Sequence, residues 1–185
     1  MPTHHDKLDR VHAQLVLVDV QERLLPHIHD YERVQTRAQL VIKAANLMHL
    51  PITVSEQNPE RLGASDPVLM EHLEDAEKIT KMTFSLCADP GGRDRLLSLM
   101  RPQVMLIGVE THVCVQQTAL DLLRMQLRPF VLADAVSSRH PEDREIALAR
   151  MREAGVIVTT VESAVFELFH EAGTELFRKM LPHIR

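Results

Sequence analysis

Six short apolar runs recur along the chain, separated by longer stretches of mixed polarity. Runs of this length, rich in Val, Ile and Leu, are typical of strands that are buried on both faces of a sheet. They predict strands at 15–20, 52–56, 78–82, 104–109, 130–136 and 156–161.

Between these runs, apolar residues recur at spacings of three and four, the repeat of one helical face. In the stretch 32–49 this repeat consists of Val34, Ala38, Val41, Ala45 and Met48. The stretch 141–154 begins with a proline, has acidic residues in its first turn and basic residues near its end, and is followed by a glycine. That order matches helix-end chemistry. We expect further helices at 112–125 and, as one or two helices, at 162–181.

The alternation of strands and helices predicts an α/β protein whose strands are joined by crossover connections. We expect a three-layer α/β/α sandwich around a mostly parallel sheet. The chain has 185 residues, 45% of them hydrophobic, which suits one domain over residues 1–185. Ligands of such sheets bind beyond the carboxyl ends of the strands, so a functional site is expected at that edge.

Composition and charge exclude several classes of function. The formal net charge is −5 and we find no basic patch, so we expect no nucleic-acid partner. No apolar run reaches the roughly 20 residues that span a bilayer, and we expect no membrane partner. The polar N-terminus "MPTHHDKLDRVH" lacks the apolar core of a secretory signal. With only two cysteines there is no disulfide framework, and we expect a cytoplasmic protein.

Three polar residues lie where predicted strands end. Asp19 ends the first run, Lys81 ends the third, and Cys114 follows the fourth at the start of a helix. All three therefore lie at the carboxyl edge of the predicted sheet. A thiolate is the nucleophilic form of cysteine, and both a helix N-terminus and a nearby lysine favour it. A carboxylate within reach can accept the thiol proton and return it to a leaving group.

Each of these residues also has a structural interpretation when it is taken alone. An aspartate after a strand is often a turn or cap residue, a loop lysine is usually solvated, and a free cysteine is often a buried core residue. His112 is a rival base for Cys114, although at i and i+2 the two side chains do not share a helix face. Cys87 either packs in the core or lines the mouth of a pocket.

At these residues the sequence resembles the isochorismatase-like cysteine hydrolase family over nearly its whole length. "LVLVDVQERLL" is similar to the family's first strand with its catalytic aspartate, and "KMTFS" to its lysine segment. "GVETHVCVQQTALDLL", with the later "VLADAVSSR", resembles its cysteine segment and the following strand. Three motifs in the right order make the resemblance specific.

The resemblance implies a Rossmann-like sheet and a catalytic triad of Asp19, Lys81 and Cys114. It also implies a cis peptide bond at Val109–Glu110, with the backbone N–H groups of Glu110 and Cys114 forming an oxyanion hole. The family tends to form dimers or larger assemblies, so a homo-oligomer is expected.

We further predict a substrate pocket lined by Gln21, Gln57 and Phe84. The ligand is expected to be a small molecule.

One departure from the family concerns metal. Its nicotinamidase branch has an Asp-x-His-x-His metal site after the second strand, where this chain reads "VSEQNPERLG" and has no histidine. We therefore predict no metal and no cofactor. The cysteine favours hydrolysis of an amide or related C–N bond through an acyl-enzyme. The alternative is a non-catalytic oligomeric protein with a vestigial site. A nucleotide-binding module lacks support, because no GxGxxG follows a strand.

Overall fold

All six apolar runs form strands of one sheet in the computed structural model, which describes residues 7–184. The pairings between strands are all parallel, so the expected α/β class is confirmed and the sheet is more regular than "mostly parallel". The strands are β1 (Ala13–Val18), β2 (Ile52–Gln57), β3 (Glu77–Lys81), β4 (Gln103–Val109), β5 (Arg128–Ser137) and β6 (Ile157–Thr159).

The strand order is β3-β2-β1-β4-β5-β6. The chain therefore builds the sheet outward from β1 in one direction and from β4 in the other. The order reverses between β1 and β4, and open parallel sheets bind their ligands beyond the carboxyl ends of the strands at such a point. The residues that follow β1 and β4 are consequently the first candidates for a functional site.

Helices cover both faces of the sheet. They are α1 (Tyr31–Leu47), α2 (Pro59–Leu62), α3 (Pro67–Met70), α4 (Pro90–Ser98), α5 (Gln116–Arg124), α6 (Pro141–Glu153), α7 (Val161–Phe169) and α8 (Glu175–Ile184). One apolar cluster joins a face of the sheet to α1, α7 and α8, and a second joins the opposite face to α4, α5 and α6. These are the three layers expected from the sequence.

The predicted helices are present with small shifts. The stretch 162–181 forms two helices, with His170 at φ 60 after the first. The sequence analysis missed α4, because its sequence "PGGRDRLLS" contains two glycines and no clear apolar repeat. Its start is nevertheless marked, since the Asp89 carboxylate accepts a hydrogen bond from the Gly92 amide at 2.9 Å and caps the helix.

Within residues 7–184, no helix is long and apolar enough to cross a membrane. Residues 1–6, half of the polar N-terminus considered above, lie outside the described residues.

Candidate active site

Asp19 is the first residue after β1, and its carboxylate is almost completely buried. It has a left-handed backbone with φ 50, which ends the strand at Val18 and not at residue 20 as predicted. One carboxylate oxygen accepts a hydrogen bond from the Ser55 hydroxyl of β2 at 2.6 Å. The other accepts one from the Lys81 ammonium at 2.6 Å. A buried carboxylate requires such partners.

Lys81 is the last residue of β3, and its side chain is 0% exposed. Besides Asp19, its ammonium donates to the backbone carbonyls of Thr83 and Phe84, each at 3.1 Å. A lysine ammonium has three N–H donors, and here all three have acceptors. The loop after β3 therefore folds around the ammonium and holds it against Asp19.

Cys114 lies in a π-helical turn, Thr111–Val115, that connects β4 to α5. Its thiol is buried and lies beside the Asp19 carboxylate, with which it interacts. The turn is defined by the Val115 amide, which donates to the Glu110 carbonyl five residues earlier at 3.2 Å. The sequence predicted an α-helix here. The π-helical turn places Cys114 one short element before α5 begins.

The backbone that leads to this turn has two special features. Gly108 has φ +117, and a Cβ there would lie 2.2 Å from the Val18 carbonyl oxygen, so no side chain fits where β4 passes β1. The Val109–Glu110 peptide bond is cis, which confirms the prediction made from the family resemblance.

The electrostatics of the site are dominated by burial. Burial raises the pKa of the Asp19 carboxyl above its ordinary value, while Lys81, Ser55 and Cys114 act in the opposite direction. Burial and the nearby Asp19 carboxylate likewise raise the pKa of the Cys114 thiol, against the effect of Lys81. Burial thus opposes the thiolate that the helix start and Lys81 favour, and it makes the Asp19 carboxylate a stronger base than usual.

The residues predicted to line a pocket lie next to these elements. Gln21 is fully buried; its side-chain oxygen accepts from the Gln57 amide, and its side-chain nitrogen donates to the Gly63 carbonyl, each at 2.8 Å. Phe84 follows Lys81 by three residues and is 51% exposed. Gln21 thus fixes the loop after β2, while Phe84 is available at the surface. The pocket itself stays a prediction.

Three polar side chains around the site were missed by sequence reasoning. Ser55 donates to Asp19; its signal was a hydroxyl inside an apolar run on the adjacent strand. Ser138 and Arg139, just after β5, contact the turn that contains Cys114. The Ser138 hydroxyl lies 3.0 Å from Nδ1 of His112, and Arg139 pairs with Glu110 at 2.9 Å. No signal along the sequence links these positions.

Cys87 and Glu56 take no part in this cluster. The Cys87 thiol packs in the apolar core and contacts the Thr118 carbonyl at 3.9 Å. Glu56 accepts hydrogen bonds from the Ser65 amide and hydroxyl and pairs with Lys78. Among residues 7–184 we find no group of three or more His, Cys, Asp or Glu side chains arranged to hold a metal ion. Metal independence stays a prediction.

Two surface clefts lie away from this cluster. One of about 650 Å³ is at the amino end of β2, bordered by His49, Asp75 and Arg95 among others. The other, of about 600 Å³, lies between α1 and α8. We place the candidate site at the carboxyl edge, because the interacting ionisable groups of the cluster are there.

Comparison with known proteins gives the family. The model of the isochorismatase domain matches residues 13–163. The chain is 36% identical over 174 residues to the secreted isochorismatase effector Isc1 of Phytophthora sojae, covering 91% of this chain and 83% of that protein. It is 36% identical over 170 residues to isochorismatase domain-containing protein 2A of Mus musculus, covering 90% and 79%.

A solved structure gives the same answer. The MAR1 ribonuclease of Caenorhabditis elegans superposes with a TM-score of 0.91 at 35% identity, covering 96% of this chain and 92% of that one. The parallel sheet, the order of the sequence motifs along the chain and these relatives all indicate the same family. The chain belongs to the isochorismatase family and has the fold of that family's hydrolases.

Proposed function

We propose that the protein is a cysteine hydrolase that cleaves an amide or related C–N bond of a small molecule. The observation that supports this most is the contact between the Cys114 thiol and the buried Asp19 carboxylate, which is itself paired with Lys81. A nucleophile beside a base that is oriented by a third group is the general arrangement of covalent catalysis. The cluster lies beyond the carboxyl ends of β1 and β4, where such sheets bind ligands.

In the first step, the Cys114 sulfur attacks the carbonyl carbon of the substrate and its proton passes to Asp19. The thiol and the carboxyl both have raised pKa values, so the proton moves as the S–C bond forms and not beforehand. The carbonyl π electrons move to oxygen. The backbone N–H groups of Glu110 and Cys114 are our proposed donors to that oxyanion.

In the second step, Asp19 returns the proton to the departing nitrogen as the C–N bond breaks. This leaves a thioester on Cys114 and releases ammonia or an amine. Water then attacks the thioester, with Asp19 as its base, and the acid product leaves as the thiol is restored. Overall, one water is consumed for each C–N bond cleaved, and no oxidant or cofactor is needed.

Lys81 acts on Asp19 and not on the substrate in this proposal. Its three donors are occupied by Asp19 and two backbone carbonyls, so none is left to bind a substrate carboxylate. Its charge lowers the pKa of Asp19 against the effect of burial, and its position orients the carboxylate toward Cys114.

A screen of small amides and imides tests the proposal, with Cys114→Ala as the blank and Cys87→Ala as the matched control. We expect turnover in the wild type and the Cys87 variant, and none above background in the Cys114 variant, with similar thermal stability in all three. An RNA oligonucleotide belongs in the screen, because the C. elegans relative is named a ribonuclease. Turnover of any substrate by the Cys114 variant would contradict a cysteine mechanism.

We also propose, from length and composition, that residues 1–185 form one domain and, from the few cysteines, that the protein is cytoplasmic. From the family resemblance we propose a homo-oligomer. The two thiols are free, which supports a reducing compartment. The Phytophthora relative is named a secreted effector, so location is best tested by cell fractionation. Light scattering on the purified protein tests the assembly; a monomer would contradict the oligomer.

A further inference from the structure

The turn that contains Cys114 is attached at two points to the loop that follows β5. Glu110, just before the turn, accepts hydrogen bonds from the Arg139 amide at 3.2 Å and from its guanidinium at 2.9 Å. Within the turn, Nδ1 of His112 lies 3.0 Å from the Ser138 hydroxyl. The second attachment is only two residues from the thiol.

Ser138 is a fixed anchor. The residue is fully buried, and its carbonyl accepts a hydrogen bond from the His29 amide at 2.9 Å. The neighbouring Ser137 hydroxyl donates to the His29 carbonyl at 2.6 Å. On the other side, the Arg144 guanidinium donates to the Val136 carbonyl at 3.1 Å. The end of β5 is thus held from both faces of the sheet.

The His112 ring faces this anchor and not the thiol. Its Nδ1 meets Ser138, and its Nε2 lies 3.9 Å from an Asp143 carboxylate oxygen at the start of α6. The acid beside the Cys114 thiol is Asp19. His112 is therefore placed to set the position of the turn, which argues against its alternative role as the base for Cys114.

We propose that His112 is a positioning residue whose contact with Ser138 holds the Cys114 thiol in register with Asp19. The inference rests on the proposed cysteine hydrolase function. The Cys114 backbone is two residues from the contact, so loss of the contact lets the turn shift relative to β1, which fixes Asp19. Small misplacements of a reacting group reduce the rate strongly.

Two replacements of His112 distinguish the roles of its two ring nitrogens. Asn places a polar atom close to the Nδ1 position and preserves the contact with Ser138, whereas Gln reaches toward the Nε2 position and loses it. Ser138→Ala removes the same contact from the other side. His140→Gln, on the loop just beyond Ser138, is the matched control. Thermal unfolding of each variant verifies that it is folded.

The first readout is the rate at which iodoacetamide alkylates Cys114, measured by peptide mapping from pH 6 to 10, which requires no substrate. The second is kcat and KM on any amide found in the screen. We expect His112→Asn and His140→Gln to stay close to wild type. His112→Gln and Ser138→Ala should lower the alkylation rate and kcat at least about tenfold, with little change in KM.

The double variant His112→Gln/Ser138→Ala should be no slower than either single variant, because both remove one contact. Three outcomes would each overturn the proposal. They are equal losses of alkylation rate and kcat in His112→Asn and His112→Gln, additive losses in the double variant, and wild-type rates in all variants. A wild-type thiol that does not react and an amide screen without turnover would instead count against the proposed function, so the two failures are distinguishable.

Discussion

Two lysines of β3 form ion pairs, one with an acid of the adjacent strand β2 and one with the residue that follows β1, and the two pairs differ in nearly every respect. Lys78 is 44% exposed along its side chain and lies 3.1 Å from Glu56 of β2. Lys81, three residues later, is 0% exposed and lies 2.6 Å from Asp19. The same kind of pair is thus half in solvent at one position and completely enclosed at the other.

The two carboxyl groups respond in opposite directions. Burial would raise the pKa of Glu56, but hydrogen bonds from Ser65 and the charge of Lys78 outweigh it and lower the pKa. At Asp19 burial prevails over Lys81 and Ser55, and the pKa is raised. Glu56 is also buried, but its hydrogen bonds from Ser65 and its pair with Lys78 favour the anion, which fixes a loop. Enclosed Asp19 is a stronger base next to a thiol, which is the state that catalysis requires.

Removal of each acid should have very different effects on turnover. Asp19→Asn keeps the shape but cannot accept the thiol proton, so we expect kcat/KM to fall about 10²–10⁴-fold. Glu56→Gln should stay within a few-fold of wild type. Steady-state kinetics on an amide from the screen provide the measurement. Comparable losses in both variants would break the distinction between the two pairs.

Removal of each lysine should lower the free energy of unfolding by different amounts. Lys81→Met leaves a buried carboxylate without its cation, a change that typically costs about 3–5 kcal/mol. Lys78→Met removes a half-exposed pair and should cost at most about 1 kcal/mol. Urea unfolding at pH 7 measures both. Equal costs would show that the enclosure of Lys81 does not matter to stability.

The pH dependence of the Lys81→Met variant sharpens this test. Without Lys81 the pKa of Asp19 is raised further, so the folded state binds the proton more tightly than the unfolded state. Relative to wild type, its stability should therefore be greatest below the ordinary aspartate pKa and should fall as pH rises toward the raised value. An unfolding free energy of the variant that increases relative to wild type as pH rises through this range would contradict the prediction.

Glu56 should show the opposite and smaller dependence. Its pKa is lowered in the folded state, so its stabilising effect is present above the unfolded pKa and is lost as pH falls through the folded one. Wild type should therefore lose more stability than Glu56→Gln when acidified from pH 6 to 3. Parallel stability curves for the two proteins would contradict this.

The sequence predicted the sheet well because its strands are buried on both faces and appear as continuous apolar runs. It located Asp19, Lys81 and Cys114 at one edge by the rule for parallel sheets, and the structure brings these three side chains together. Ser138 could not be predicted as a partner of the cysteine turn. It meets His112 only because β5 pairs with β4, which is a property of the tertiary fold.

The effect of burial on the Cys114 thiol could not be predicted from the sequence. A helix start and a nearby lysine both favour a thiolate, but these local signals do not include the cost of burial. Cys114 is 7% exposed and lies beside the Asp19 carboxylate. Desolvation depends on the packing of the whole site, so the pattern along the chain did not contain it.

The most direct test of the account compares the two cysteines in one alkylation experiment. Cys87 and Cys114 are 6% and 7% exposed and belong to the same apolar cluster, so Cys87 is an internal control for access. Burial raises the pKa of both thiols, so the feature that distinguishes Cys114 is its place beside the Asp19 carboxylate. Peptide mapping after treatment with iodoacetamide near neutral pH gives both rates, in wild type and in folded Asp19→Asn.

We expect Cys114 to react much faster than Cys87 in wild type and to slow to a rate near that of Cys87 in the variant. Equal rates in wild type, or a Cys114 rate that Asp19→Asn leaves unchanged, would contradict the role of Asp19 as its base.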